Sequence, residues 1–302
     1  MSAWDELVRT GTARRDVELA PLTTYKLGGP CDVFVDIDHP ETLEAVGETW
    51  RREAKDILVL GRGSNLLIAD AGFRGVVVRL GSSFTSLAVD ADGIVHAGGS
   101  VSMPVLARSA SKQGRGGLEY GVGIPGSVGG AVRQNAGCFG REVVDVLVEA
   151  EIVSLADGGK KWRGPDDLDL GYRRSNIAPG EVVVSARFAT VATDPADSAE
   201  EMRRITRWRR DHQPGGTLNA GSVFKNPPDV AAGALIDRLG LKGYTVGPVR
   251  VSPRHANFIE AEAGATAEEV RRLIQAVQER VEDETGRVLE PEIQFVGFQG
   301  AS

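Results

Sequence analysis

Ten of the chain's 38 glycines fall between residues 114 and 140. Glycine reaches positive φ and lets a main chain approach a ligand with no Cβ in the way, so such clustering constrains the backbone first. Apolar residues punctuate the run and no short unit repeats, which reads as an ordered loop system rather than a flexible linker. A shorter cluster is Gly61-Arg62-Gly63-Ser64-Asn65-Leu66-Leu67. It follows the apolar run 57–60, as a loop follows a buried strand. Two glycine-rich turns after strands suit phosphate oxygens, because successive N–H groups form an anion-binding concavity. Taken alone, the shorter cluster is equally a tight strand–turn connection.

Around the loops the pattern alternates between strand and helix. Residues 33–37, 57–60, 76–80 and 94–97 predict strands, and 143–155 a longer β-rich run that turns at Asp157-Gly158-Gly159. Leu43, Val46, Trp50 and Ala54 predict a helix over 41–54. Ser102 as N-cap and Pro104 in the first turn predict another, carrying Val105, Leu106 and Ala110. The stretch 192–198 precedes an amphipathic helix with Met202, Ile205 and Trp208 on one face. A final helix begins at Thr266, where Glu269 completes a capping box. Its buried stripe is Val270, Leu273, Ile274, Val277 and Val281; Gly286 ends it, and a strand follows through Ile293, Phe295 and Val296. The expected organisation is α+β: residues 1–193, with subdomains near 1–85 and 86–193, then 194–302.

Composition removes several function classes. A net charge of −7 argues against nucleic acid as a partner. Two cysteines, Cys31 and Cys138, and four histidines are too few for a disulfide framework or an expected metal site. The acidic start Met-Ser-Ala-Trp-Asp-Glu is unlike a secretory signal, and no apolar stretch approaches the roughly 18 residues of a membrane span. The expectation is a cytoplasmic monomer with no membrane partner. No Walker pattern occurs, and the 61–66 cluster lacks the third glycine of a dinucleotide fingerprint.

Gly123-Ile124-Pro125-Gly126-Ser127-Val128-Gly129-Gly130-Ala131, followed by Gln134-Asn135-Ala136-Gly137, is similar to a flavin-binding signature. With the 61–67 cluster about sixty residues before it and Thr24-Tyr25-Lys26-Leu27-Gly28-Gly29-Pro30 at the entry, the pattern resembles the UDP-N-acetylenolpyruvoylglucosamine reductase family. No tyrosine-bearing insertion is evident, so the likeness is to the shorter subtype. The resemblance implies a vanillyl-alcohol-oxidase-like (PCMH-type) FAD-binding domain of two α/β subdomains, followed by a C-terminal α+β substrate-binding domain. It implies non-covalent FAD held by Tyr25, Gly61, Arg62, Gly63, Ser64, Asn65, Leu66, Gly123, Ile124, Pro125, Gly126, Ser127, Gly129, Gly130, Asn135, Ala136 and Gly137. It further implies NADPH as reductant and UDP-N-acetylglucosamine enolpyruvate as substrate. The product would be UDP-N-acetylmuramate, for peptidoglycan and hence for cell-wall biogenesis, cell shape and division.

Three later motifs complete the resemblance, and each suits its chemistry. In Gly171-Tyr172-Arg173-Arg174-Ser175, Arg173 would face the substrate carboxylate and the enolate, since a planar guanidinium forks onto carboxylate oxygens and stays charged. In Asn219-Ala220-Gly221-Ser222-Val223-Phe224-Lys225-Asn226-Pro227, Ser222 would protonate the carbon beside the carboxylate, with its alkoxide stabilised by neighbours. Lys225 and Asn226 would orient substrate or Ser222. In Leu289-Glu290-Pro291-Glu292-Ile293, both acids point to one face of a strand, and the resemblance assigns the role to Glu292. Tyr172, His212, His255 and Asn257 are implied substrate contacts. His212 stands where many relatives would have lysine. Either it meets the diphosphate, so that affinity falls as histidine loses its charge, or it is a helix-end histidine favoured by the dipole. Two rivals remain: an alcohol or 2-hydroxy-acid oxidase of the same fold, and a flavin- or UDP-sugar-binding sensor.

Overall fold

The computed structural model describes residues 2–298. The chain separates into two units. The first comprises residues up to Asp16, Asp32–Arg62 and Gly75–Trp208; the second comprises Val17–Cys31, Gly63–Arg74 and everything from Arg209.

A four-stranded sheet carries the order Arg14–Glu18, Pro30–Ile37, Phe73–Leu80, Ile57–Val59. Its last pair is parallel, with Leu58 opposite Val77. Alternate Val33, Val35 and Ile37 point inward, where the stripe Leu43 and Val46 of helix Pro40–Arg52 packs with Trp4, Val76 and Val78. The first unit also holds a five-stranded antiparallel sheet. Its order is Lys160–Arg163, Leu147–Ser154, Glu181–Phe188, Val95–Gly98, Leu87–Val89. Helices Met103–Lys112 and Val128–Arg133 contribute Leu106, Ala110, Ala131 and Val132 to the core with its strands. Ser102 is the N-cap residue of the former helix, although its side chain accepts no capping bond. Val105 of that helix lies outside, 53% exposed.

The second unit is built on helix Ala267–Thr285. Thr266 and Glu269 form the expected capping box, and Gly286 closes the helix at φ 68°. All five residues of its predicted stripe are buried, alongside helix Ala232–Arg238 and the antiparallel strands Thr245–Val246, Val249–Val251 and Ile259–Ala261. Leu66–Ile68 pairs in parallel with Gln294–Val296, Leu67 standing opposite Phe295. Tyr25, Leu27 and Leu67 are buried in the same core as Val223, Phe224 and Ile293.

The division therefore differs from a single cut at residue 193. Helix Pro195–His212 begins just after that point, and the change of unit falls within it, at 208/209. Two early segments belong with the C-terminal core, because burying their apolar residues there removes them from water. The region 143–155 also differs from a continuous strand, being a 3₁₀ turn, Val143–Asp145, before strand Leu147–Ser154.

Candidate active site

Arg173 occupies a tight turn in the first unit. Gly171 and Arg174 exchange both backbone hydrogen bonds at 3.1 Å, leaving Tyr172 and Arg173 at the tip. Arg173 has φ 55°, at a turn position that ordinarily goes to glycine or asparagine. Such strain in a side chain with chemical potential points to a functional constraint. The guanidinium donates to the Glu142 carboxylate at 3.1 Å and to the Gly137 carbonyl at 3.2 Å, and lies over the Tyr172 ring. Gly137 and Glu142 form one rung of the hairpin Gly137–Cys138 and Arg141–Glu142. Its two-residue tip, Phe139-Gly140, has φ 54° and 75°, the positive pair of a type I′ connection. The Phe139 ring meets Trp208 edge-on. A Cβ on Gly137 would stand 2.7 Å from Glu142 Cγ and 3.2 Å from an Arg173 guanidinium nitrogen. With the Arg141 carbonyl 2.8 Å away as well, the hairpin itself leaves little room for a side chain there.

Ser222 and Glu292 come together in the second unit. Asn219 accepts from the Gly221 N–H at 3.0 Å, an Asx turn that sets Gly221 at φ 79° and launches Ser222. Val223 then lies between two partners. Its N–H donates to Asn257 and its carbonyl accepts from the Glu292 N–H at 2.7 Å. Lys225 N–H donates to the Glu290 carbonyl, extending the pairing. The two acids of the terminal motif part company: Glu290 is exposed and ion-paired with Lys225, while Glu292 is half-buried. The Glu292 carbonyl accepts from the Asn65 side chain at 3.1 Å, and Gln294 N–H donates to the Asn65 carbonyl. The shorter glycine cluster thus sets the backbone of the acid.

The loops suit an oxygen-rich cofactor. Among the described residues, the N–H groups of Gly61 and Arg62, and of Gly126 and Ser127 in the longer loop, donate to no protein acceptor. The two loops also approach closely, since a Cβ on Gly61 would stand 2.7 Å from Ser127 Oγ. Ser127 Oγ itself accepts from Gly130 N–H at 3.3 Å. Val128 and Gly129 amides are committed to Val101 and Gly99, so Gly61, Arg62, Gly126 and Ser127 are the better candidates for cofactor oxygens.

Three of the expected ligands have side-chain polar atoms bonded inside the fold. Tyr25 is 0% exposed in the second core and donates to the Ile259 carbonyl at 3.1 Å; burial pushes its phenol pKa well up. Asn135 is also 0% exposed, and its amide holds Glu142, Gly171 and Val144. Asn257 is 4% exposed, and its side chain binds both the N–H and carbonyl of Phe224. In each, the side-chain polar atoms are committed to internal bonds.

Asn226 accepts from the Ala232 N–H, at the start of a helix. His212 is an exposed residue of the last turn of its helix. His255 stacks edge-on against Phe258 at 4.9 Å, and its Nδ1 accepts from the Asn257 N–H. Burial first, then the charges of Lys242 and His212, hold the His255 imidazole below the usual histidine range. The unfolded chain takes up this proton near pH 6.5 and the folded one does not. Stability is therefore lost as pH falls through about 6.5 toward the lower folded value. In His255→Gln, denaturant unfolding between about pH 7.5 and 5.5 is expected to show a smaller loss than in the parent. Equal losses would remove His255 as the cause.

Glu142 was not apparent in the sequence: its partner lies 31 residues away, beyond any local spacing rule.

The comparisons agree with this anatomy. Residues 31–161 match a family described as FAD binding domain, and residues 213–296 match UDP-N-acetylenolpyruvoylglucosamine reductase, C-terminal domain. The UDP-N-acetylenolpyruvoylglucosamine reductase of Bacillus pumilus is 36% identical over 96% of this chain and 95% of its own. That of Syntrophotalea carbinolica is 40% identical over 91% of each. The crystal structure of the Thermus caldophilus enzyme superposes with a TM-score of 0.81 at 35% identity, covering 94% of this chain and 99% of that one. The fold and these matches define an FAD-dependent oxidoreductase with an FAD-binding domain in a mixed α+β chain. Within that class, the chain belongs to the UDP-N-acetylenolpyruvoylglucosamine reductase family.

Proposed function

We propose that this chain reduces UDP-N-acetylglucosamine enolpyruvate to UDP-N-acetylmuramate with NADPH, a step of peptidoglycan precursor synthesis. The observation that carries the reading is the backbone clamp holding the Ser222 and Glu292 segments side by side, with Glu292 N–H 2.7 Å from the Val223 carbonyl. This pairing supports a reading in which one substrate group meets a hydroxyl and an acid from stretches far apart in sequence.

The amides of Gly61, Arg62, Gly126 and Ser127 would hold the FAD, which when bound would supply the hydride relay between NADPH and the vinyl carbon. Arg173 forks onto the substrate carboxylate and stabilises the negative charge that collects there. Glu292 hydrogen-bonds to the enolic carboxylate. Ser222 Oγ gives its proton to the carbon beside the carboxylate, and the serine is reprotonated from solvent. Tyr172, His212, Lys225, Asn226 and His255 contact the substrate, with Lys225 restrained by Glu290. The reading includes a cytoplasmic monomer with no nucleic-acid or membrane partner. A net charge of −7 supports the first exclusion, and no helix among the described residues is long and apolar enough to cross a membrane.

The test is anaerobic. NADPH should bleach the visible flavin band, and the enolpyruvyl nucleotide should restore it with one UDP-N-acetylmuramate formed per flavin. Reduction by a simple alcohol, with no response to NADPH, would overturn the reading in favour of an oxidase.

A further inference from the structure

We propose that Glu142 is a positioning residue for Arg173, its carboxylate fixing the guanidinium in the orientation that meets the substrate carboxylate. The proposal deepens, and rests on, the reading of Arg173 given above. One Glu142 oxygen accepts from Arg173 at 3.1 Å and the other from the buried Asn135 amide at 3.0 Å. Asn135 in turn donates to the Gly171 carbonyl at 3.0 Å, so one side chain ties Glu142 to the turn bearing Arg173.

The carboxylate is itself fixed. Glu142 N–H donates to Asp145 at 2.8 Å while its side chain accepts from the Asp145 N–H, a reciprocal cap of the Val143–Asp145 turn. Arg173 is held on a second edge by the Gly137 carbonyl, directly across the hairpin rung from Glu142. A guanidinium gripped at two nitrogens by one rung has a defined plane, which a single contact would not give. The arrangement also explains why a strained φ persists at Arg173, since surrounding bonds over-determine it. Arg173 is 16% exposed and Glu142 29% at the side chain, so water screens this pair less than an open surface pair.

The experiment compares the full-length flavin-loaded parent, Glu142→Gln, Arg173→Ala and the double variant. Each is followed in the NADPH half-reaction, in flavin reoxidation by the enolpyruvyl nucleotide, and in calorimetric affinity for that nucleotide. Glu142→Gln is expected to slow reoxidation roughly 10–100-fold, as misplacement of a reacting group does, with NADPH reduction within about two-fold of the parent. Nucleotide affinity should weaken in the same variant. In the Arg173→Ala background the glutamine substitution should add less than about two-fold, because the residue it acts through is gone. An Asn135-linked structural role alone would make the two effects additive, which would overturn the proposal, as would parental reoxidation rates in Glu142→Gln. Should that variant lose flavin, Glu142→Asp, which keeps the charge but shortens the reach, enters the same cycle with the same expectations. A parent that does not turn over the enolpyruvyl nucleotide overturns the functional reading, and this proposal with it.

Discussion

Ser222→Ala is expected to slow flavin reoxidation by the enolpyruvyl nucleotide roughly 10²–10³-fold, the usual effect of removing one group aimed at transition-state charge or protonation. Reduction of the flavin by NADPH should stay within about two-fold, because no proton on the substrate carbon moves in that half-reaction. The geometry supports so selective an effect. Ser222 sits between the Asx turn at Asn219–Gly221 and the clamped residue Val223, so its backbone is set from both sides. Alanine keeps that backbone and deletes only the hydroxyl. Stopped-flow traces of the two half-reactions separate the outcomes. If both rates fell together, Ser222 would be a structural residue and another group would have to supply the proton.

Asn257→Ala should instead act first on stability, by about 2–6 kcal/mol. Its side chain donates to the Phe224 carbonyl at 2.8 Å and accepts from the Phe224 N–H at 2.9 Å, acting as an extra length of backbone. Alanine leaves both groups unpaired beside Phe224, itself only 2% exposed, and each buried orphan costs about 1–3 kcal/mol. The urea midpoint should drop with the slope of the transition unchanged. Because Val223 and Glu292 belong to the same clamp, the folded fraction should also reoxidise its flavin slowly while accepting hydride from NADPH normally. A loss of unfolding free energy below about 0.5 kcal/mol would mean that water or a repacked neighbour satisfies Phe224, and that the clamp rests on backbone bonds alone.

Asn257 also shows why the candidate site was only partly readable. In sequence it stands in a stretch similar to a family segment near substrate, and a polar residue there reads naturally as a ligand. In the fold it is a buried bracket, as are Asn135 and Tyr25. A side chain's type says what bonds it can make; only its surroundings say whether those bonds are already made. Glu290 and Glu292 illustrate the reverse. Strand alternation would put both on one face, but the strand begins only at Gln294, and Glu290 is exposed beside Lys225 while Glu292 is half-buried.

Local information was enough for some of the elements, the last helix above all. The Thr266–Glu269 capping box, the five-residue stripe and Gly286 delimit the last helix through bonds made within a few residues. The glycine loops and short motifs carried the cofactor class and the family, since backbone freedom near a ligand is written in glycine. The packing of distant segments was not written there. Asn65 meets Glu292 across 227 residues, Tyr25 meets Ile259 across 234, and Arg173 meets Glu142 across 31. Each pairing depends on how chain reversals bring strands into register and which apolar faces find each other. That search is decided by the whole core at once, and no local window contains it.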